Sequence, residues 1–395
     1  MLINLDFSRA EQGERPVLEF RPGPQEYQLH RADGGVELLR INWTQEMLDD
    51  LAAVRLPGRS AEVAQRVGDM LREFMQSSSW PGYEEKIVAV AANEEPITLT
   101  IRSAAAELYI LPWELLTLRA TGQHLGELPS LLLRYKLPQA SAASSAAGNS
   151  AEPGRILYAW SAAAGEVPAD RQLRALHAAC AAGSLPFDSQ RDVIEHATPA
   201  KLTVALAAAQ KSGPPIRVLH LLCHGTAHNG GFALAMSGED AAEGPTHVDA
   251  SWLRRLLSPY SNMVQLIILT ACDSANIGAL GNHLGSIAQT LHQLGFAHVV
   301  ASRFPLTVDG SVAYTQAFYS ALLEQPSSVR QAFLSARQAL TNHKEQIDWA
   351  SLQLFSHGEA DDEGRPISFR PYRGLLAFQP EHRRFFFGRD REVEE

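Results

Sequence analysis

Apolar and polar positions change period along the chain, and the changes mark elements. Over 60–75, Val63, Val67, Met70, Leu71 and Phe74 recur at spacings of four, three, one and three, which puts one apolar stripe on a helix. Before it, Pro16–Phe20 and Tyr27–His30 read as short extended segments, and after it Ile97–Ile101 reads as a strand. From Arg155 a regular succession begins. It runs as a strand to Trp160, a helix over 170–182, a strand near 192–196, a helix over 199–209 and a strand ending at His224. A helix over 250–257 and a strand running up to Cys272 follow. Leu284, Ile287, Ala288, Leu291 and Leu294 then predict a helix stopped by Gly295, the strand Ala297–Ala301 comes next, and helices over 311–323 and 328–342 are parted by Pro326. Strands alternating with helices predict an α/β fold, a mostly parallel sheet flanked by helices on both faces.

Composition places boundaries on this pattern. Residues 139–154 are mostly Ala, Ser, Gly and Asn, too poor in apolar surface to offset the entropy of ordering, and read as a flexible linker. An N-terminal α+β part (1–138) precedes it and the main α/β part (155–358) follows. At 395 residues the chain exceeds one typical core. No apolar run approaches the ~18 residues of a membrane span and the N-terminus lacks a signal-peptide pattern, so a soluble cytoplasmic protein with no membrane partner is expected. Lys and Arg number 34 against 44 Asp and Glu, a net charge of −10 with no basic block, and nucleic acid is not an expected partner. The three cysteines, Cys180, Cys223 and Cys272, form no disulfide framework.

Two phrases carry chemistry. Leu219–Gly225 is an apolar run that breaks at His224-Gly225, and Leu266–Ser274 is one that breaks at Cys272. Strand ends in open α/β sheets collect at one edge, so the two runs bring a base and a nucleophile together. A lone strand-end histidine is more often a satisfied cap, and a lone cysteine a buried small hydrophobe; their joint placement favours a dyad. A thiol ionises only slightly at neutral pH, so His224 would take the proton of Cys272, and the amides of Gly225 and Cys272 would form the oxyanion hole. His220, Cys223, His224 and His228 have ligand-like spacings, but alternation along a strand turns Cys223 away from His220 and His224, and no metal is assigned. Cys180 lies among alanines and reads as core.

The 48 residues from His224 to Cys272 are close to the roughly 50 of caspase-type enzymes. With Leu111-Pro112-Trp113-Glu114-Leu115-Leu116 upstream and Asp348-Trp349-Ala350-Ser351-Leu352 downstream, the chain resembles the CHAT family, caspase-like domains of clan CD cysteine proteases, over about residues 95–358. The resemblance implies a caspase-like sheet with 1–138 as an accessory or pseudo-caspase half, and a cysteine endopeptidase acting on a protein substrate without a cofactor. A non-catalytic caspase-like scaffold that relays assembly is the alternative. Where caspases carry Gln two residues before the cysteine and metacaspase-like relatives Asp, this chain has Thr270. Thr270, Asp273 and Arg303 are the candidate pocket residues; Asp273 would favour a basic side chain and Arg303 an acidic one, and Asp188 reads as a loop cap. Beyond the polar stretch 359–364, Pro371–Phe378 and Phe385–Glu392 look like the opening of a STAND-type NTPase module. No P-loop motif precedes Glu395, so the chain is expected to be a fragment. ATP is expected only for that module, through which an activating partner or self-association would act, in bacterial defence or cell death.

Overall fold

Ser60 accepts a hydrogen bond from the Val63 amide (3.2 Å), and the amphipathic stretch predicted over 60–75 begins one residue later, at Ala61. In the computed structural model, residues 1–10, 20, 22–56, 58–138, 154–228, 231–240, 244–270, 284–324, 328–342, 347–358 and 365–367 are described. The amino-terminal part holds strands β1 (Leu2–Arg9), β2 (Gly23–His30) and β3 (Val36–Trp43), helices α1 (Gln45–Ala53), α2 (Ala61–Met75) and α3 (Trp80–Ala91), and strands β4 (Ile97–Ser103) and β5 (Leu131–Lys136). The second part runs β6 (Arg155–Trp160), α4 (Ala169–Ala182), α5 (Ser189–Asp192), β7 (Val193–Ile194), α6 (Pro199–Lys211) and β8 (Ile216–Leu222). A small three-stranded sheet follows, β9 (Gly225–His228), β10 (Gly231–Met236) and β11 (Thr246–Asp249). Then come α7 (Ala250–Leu257), β12 (Leu266–Thr270), α8 (Leu284–Gln293), β13 (His298–Ser302), α9 (Val308–Glu324), α10 (Val329–Thr341) and β14 (Leu352–Ser356).

The strands of both parts join in one sheet of order β3-β2-β1-β4-β5-β14-β13-β12-β8-β6-β7. Seven of its pairings are parallel, and β3–β2, β2–β1 and β14–β13 are antiparallel. The fold is therefore α/β with a mostly parallel sheet. Every residue of β12, β13 and β14 is buried, as strands covered by helices on both faces must be. On β3, by contrast, burial alternates. Of the early segments read from the sequence, 16–19 fall outside the described residues, while Tyr27–His30 is the second half of β2.

Trp113–Leu115 makes a single 3₁₀ turn, with the Trp113 indole N–H on the Leu108 carbonyl (2.7 Å) and its ring stacked on Phe7 (centroids 5.4 Å). That turn lies so close to α2 that a Cβ at Gly68 would strike the Leu115 carbonyl oxygen and the Thr117 methyl group. Helix propensity alone would make Gly68→Ala stabilising by about 1 kcal/mol. Overpacking reverses the sign, and denaturant unfolding is expected to show a loss of about 1–3 kcal/mol.

Candidate active site

Strand β8 delivers the candidate base. Leu222, its last residue, pairs with Thr270, the last of β12, so the two strands end level at the carboxyl edge. In the sequence His224 follows Leu222 by two residues and Cys272 follows Thr270 by two. His224 is 3 % exposed, and its Nε2 lies 3.1 Å from the Glu166 carbonyl oxygen, in the segment that leaves β6. A carbonyl can only accept, so this bond places a proton on Nε2. The Ala235 amide donates to the His224 carbonyl (2.8 Å), fixing the backbone from β10, and Gly225 opens β9 opposite Leu234. Cys272 and Asp273 lie outside the described residues.

The two remaining pocket candidates are both buried and hydrogen-bonded. Thr270 is 1 % exposed, and its hydroxyl is shared with His220 Nε2 (3.0 Å), whose Nδ1 meets the Tyr319 hydroxyl (3.1 Å). Burial pushes the His220 pKa down to about 3, so it stays a neutral strut behind the edge. Arg303 follows β13 as expected, but its guanidinium is turned inward, donating to Glu114 Oε2 (2.7 Å) and to the Tyr135 hydroxyl (2.7 Å). Tyr135 in turn donates to Glu114 Oε1 (2.8 Å). Burial alone would depress the Arg303 pKa; Glu114 and Tyr135 outweigh it and hold the group cationic. Asp188 accepts from the Gln190 amide (2.9 Å) and caps α5. Cys180 is core, its thiol pushed up to about 12 by burial.

The model of the family described as "CHAT domain" matches residues 44–357. The chain belongs to the CHAT domain family. Among solved structures, this CHAT domain is similar to a chain of the Saccharomyces cerevisiae separase–securin complex, with 12% identity and a TM-score of 0.34. That match covers 66% of this chain and 16% of the other. A second determination of the complex gives 10% identity and a TM-score of 0.35, covering 66% and 15%. A structure described as a protease is similar at 10% identity and a TM-score of 0.41, covering 73% of this chain and 68% of that one. This chain thus spans about a sixth of the length of the chains it matches in the separase–securin complex. No curated protein matches.

Two contributors to this CHAT domain's edge carry no sequence signal. The carbonyl that orients His224 belongs to the backbone at Glu166, where any residue type would serve. Glu114 announces itself only as a carboxylate in an otherwise apolar phrase, which demands a buried partner without naming it. No described helix is long and apolar enough to cross a membrane.

Proposed function

We propose that this CHAT domain is a cysteine endopeptidase acting on a protein substrate, with Cys272 as nucleophile and His224 as its base. What carries the reading is His224, a buried imidazole held at the sheet's carboxyl edge with Nε2 against the Glu166 carbonyl, two residues past a strand end that lies level with the strand end two residues before Cys272. The thiol proton of Cys272 would pass to the His224 imidazole as sulfur attacks the peptide carbonyl, and the amides of Gly225 and Cys272 would hold the oxyanion. Collapse of the tetrahedral intermediate breaks the C–N bond, with the imidazolium returning its proton to the departing amine. Water, deprotonated by the same imidazole, then cleaves the thioester. No cofactor enters these steps. Control by a following STAND module that binds ATP, with an activating partner or self-association in a cytoplasmic bacterial defence or cell-death pathway, belongs to the same proposal and is supported by the phrases at 371–378 and 385–392.

Active-site labelling tests it. With a panel of peptidyl chloromethylketones, mass spectrometry is expected to find the adduct on Cys272, absent in Cys272→Ala and formed about 10²-fold more slowly in His224→Ala. Cys180, buried and protonated, provides the unreactive comparison thiol. If Cys272 reacts no faster than Cys180, with and without nucleotide on a chain extended beyond Glu395, the scaffold alternative replaces the enzyme.

A further inference from the structure

We infer that Arg59, in the stretch leading into α2, is a positioning residue for one wall of the substrate cleft. The inference rests on the peptidase reading above and adds a residue far from the dyad. Strand β13 lies beside β12 and parallel to it, so the segment Arg303–Thr307 leaves the sheet at the edge where β8 delivers His224. A peptide laid across that edge has the Glu166 segment on one side and Arg303–Thr307 on the other. Pro305 and Thr307 are half-buried and so reach the surface, while Phe304 and Leu306 are fully buried and anchor the segment.

The anchoring comes from the amino-terminal part. The Arg59 side chain is 6 % exposed. Its NH1 donates to the Pro305 carbonyl (3.2 Å), and its NH2 reaches Asp348 Oδ1 (3.2 Å), Ser351 Oγ (2.5 Å) and the Ile347 carbonyl (3.4 Å). Asp348 passes the constraint on, accepting from the Thr307 amide (3.3 Å) and hydroxyl (2.5 Å). The Ser351 carbonyl accepts from the Arg303 amide (2.5 Å). The Phe304 ring lies near both guanidiniums, 5.4 Å from that of Arg59 and 5.9 Å from that of Arg303. One planar fork thus fixes both the wall and the Asp348–Ser351 turn that backs it, which a point charge on a flexible stem would not do. Misplacement of a wall that binds the peptide weakens peptide binding by about tenfold or more, while leaving a small reagent untouched.

The test separates those two readouts in the full chain. Wild type and Arg59→Met are compared for alkylation of Cys272 by iodoacetamide, for labelling by the preferred peptidyl chloromethylketone, and for peptide KM and kcat. Iodoacetamide rates within twofold of wild type, with peptide labelling down at least tenfold and KM raised by a similar factor, are expected. Hydrogen exchange in 303–307 should rise with them. Should Arg59→Met fail to fold, Ser351→Ala and Thr307→Val each remove one link and are expected to give the same split at about threefold. Parallel loss of both labels, or loss of neither, overturns the inference. Absence of peptide labelling in wild type overturns the peptidase reading itself, and is told apart because no variant is involved.

Discussion

Between pH 7 and pH 5 the folded domain is expected to lose about 4 kcal/mol of stability through His220 and His298, with a further loss through His292. Burial holds His220 and His298 down to about 3 and His292 well below the ordinary histidine range, with His357 and His298 adding to the effect on His292. His292 and His357 stack at 3.6 Å, and among the described residues neither ring nitrogen of His292 has a hydrogen-bond partner. His298 shares a hydrogen bond with Ser356 (3.1 Å). The charged groups that bear on the cluster, Lys136, Arg134 and Arg330, are basic and oppose protonation further. The folded pKa values lie below the unfolded one near 6.5, so the unfolded chain binds the extra protons and stability falls as pH falls below 6.5. His220 and His298 each contribute about 2 kcal/mol of loss at pH 5, and His292 acts in the same direction. Asp192, held below the usual carboxylate range by Arg191 and Arg155 against the opposing effect of burial, keeps its contribution until pH drops through about 4, outside this window. Urea unfolding at pH 7.5, 6 and 5 measures the slope; equal stability at all three would show that the imidazoles are not buried neutral.

Glu114→Ala is expected to cost about 3–5 kcal/mol, because it strands a buried cation. The Glu114 and Arg303 side chains are 2 % and 5 % exposed, so bulk solvent does little to screen the stranded charge. Arg55 worsens its position: burial pushes that guanidinium down to about 10, and Arg303 adds to the effect. Replacing the pair together, Glu114→Leu with Arg303→Met, removes both charges and is expected to recover most of the loss. Thermal and denaturant unfolding of the single and double variants decides it. A cost below about 1 kcal/mol for Glu114→Ala would mean that Arg303 finds water or another carboxylate.

The parallel spine was legible because its strands are short apolar runs and its helices carry clear stripes: β6 and α7 match their predicted limits, and α4, α8 and β13 lie within a residue or two. His224 and Gly225 were found at the carboxyl edge for the same reason. The β9–β11 sheet was not, since Gly225–His228 has neither alternation nor β-branched density to distinguish it from a loop. The partners of Thr270 and Arg303 were not legible, because position at the end of a strand is visible in sequence whereas the direction of a side chain is not. Arg303 meets Glu114 across 189 positions, and Arg59 meets Asp348 across 289. Pairings at that distance are set by the closed sheet, and no local pattern encodes them.

Strand β14 sits between β5 and β13, so the joint between the two parts of the sheet is made by residues near the far end of the domain. During synthesis, Leu131–Lys136 would emerge more than two hundred residues before Leu352–Ser356, and until then β5 keeps an open hydrogen-bonding edge. Arg59 likewise waits for Asp348. The segment Arg303–Thr307 and the Asp348–Ser351 turn are therefore tied down late on the ribosome, when nearly all of the domain has been translated.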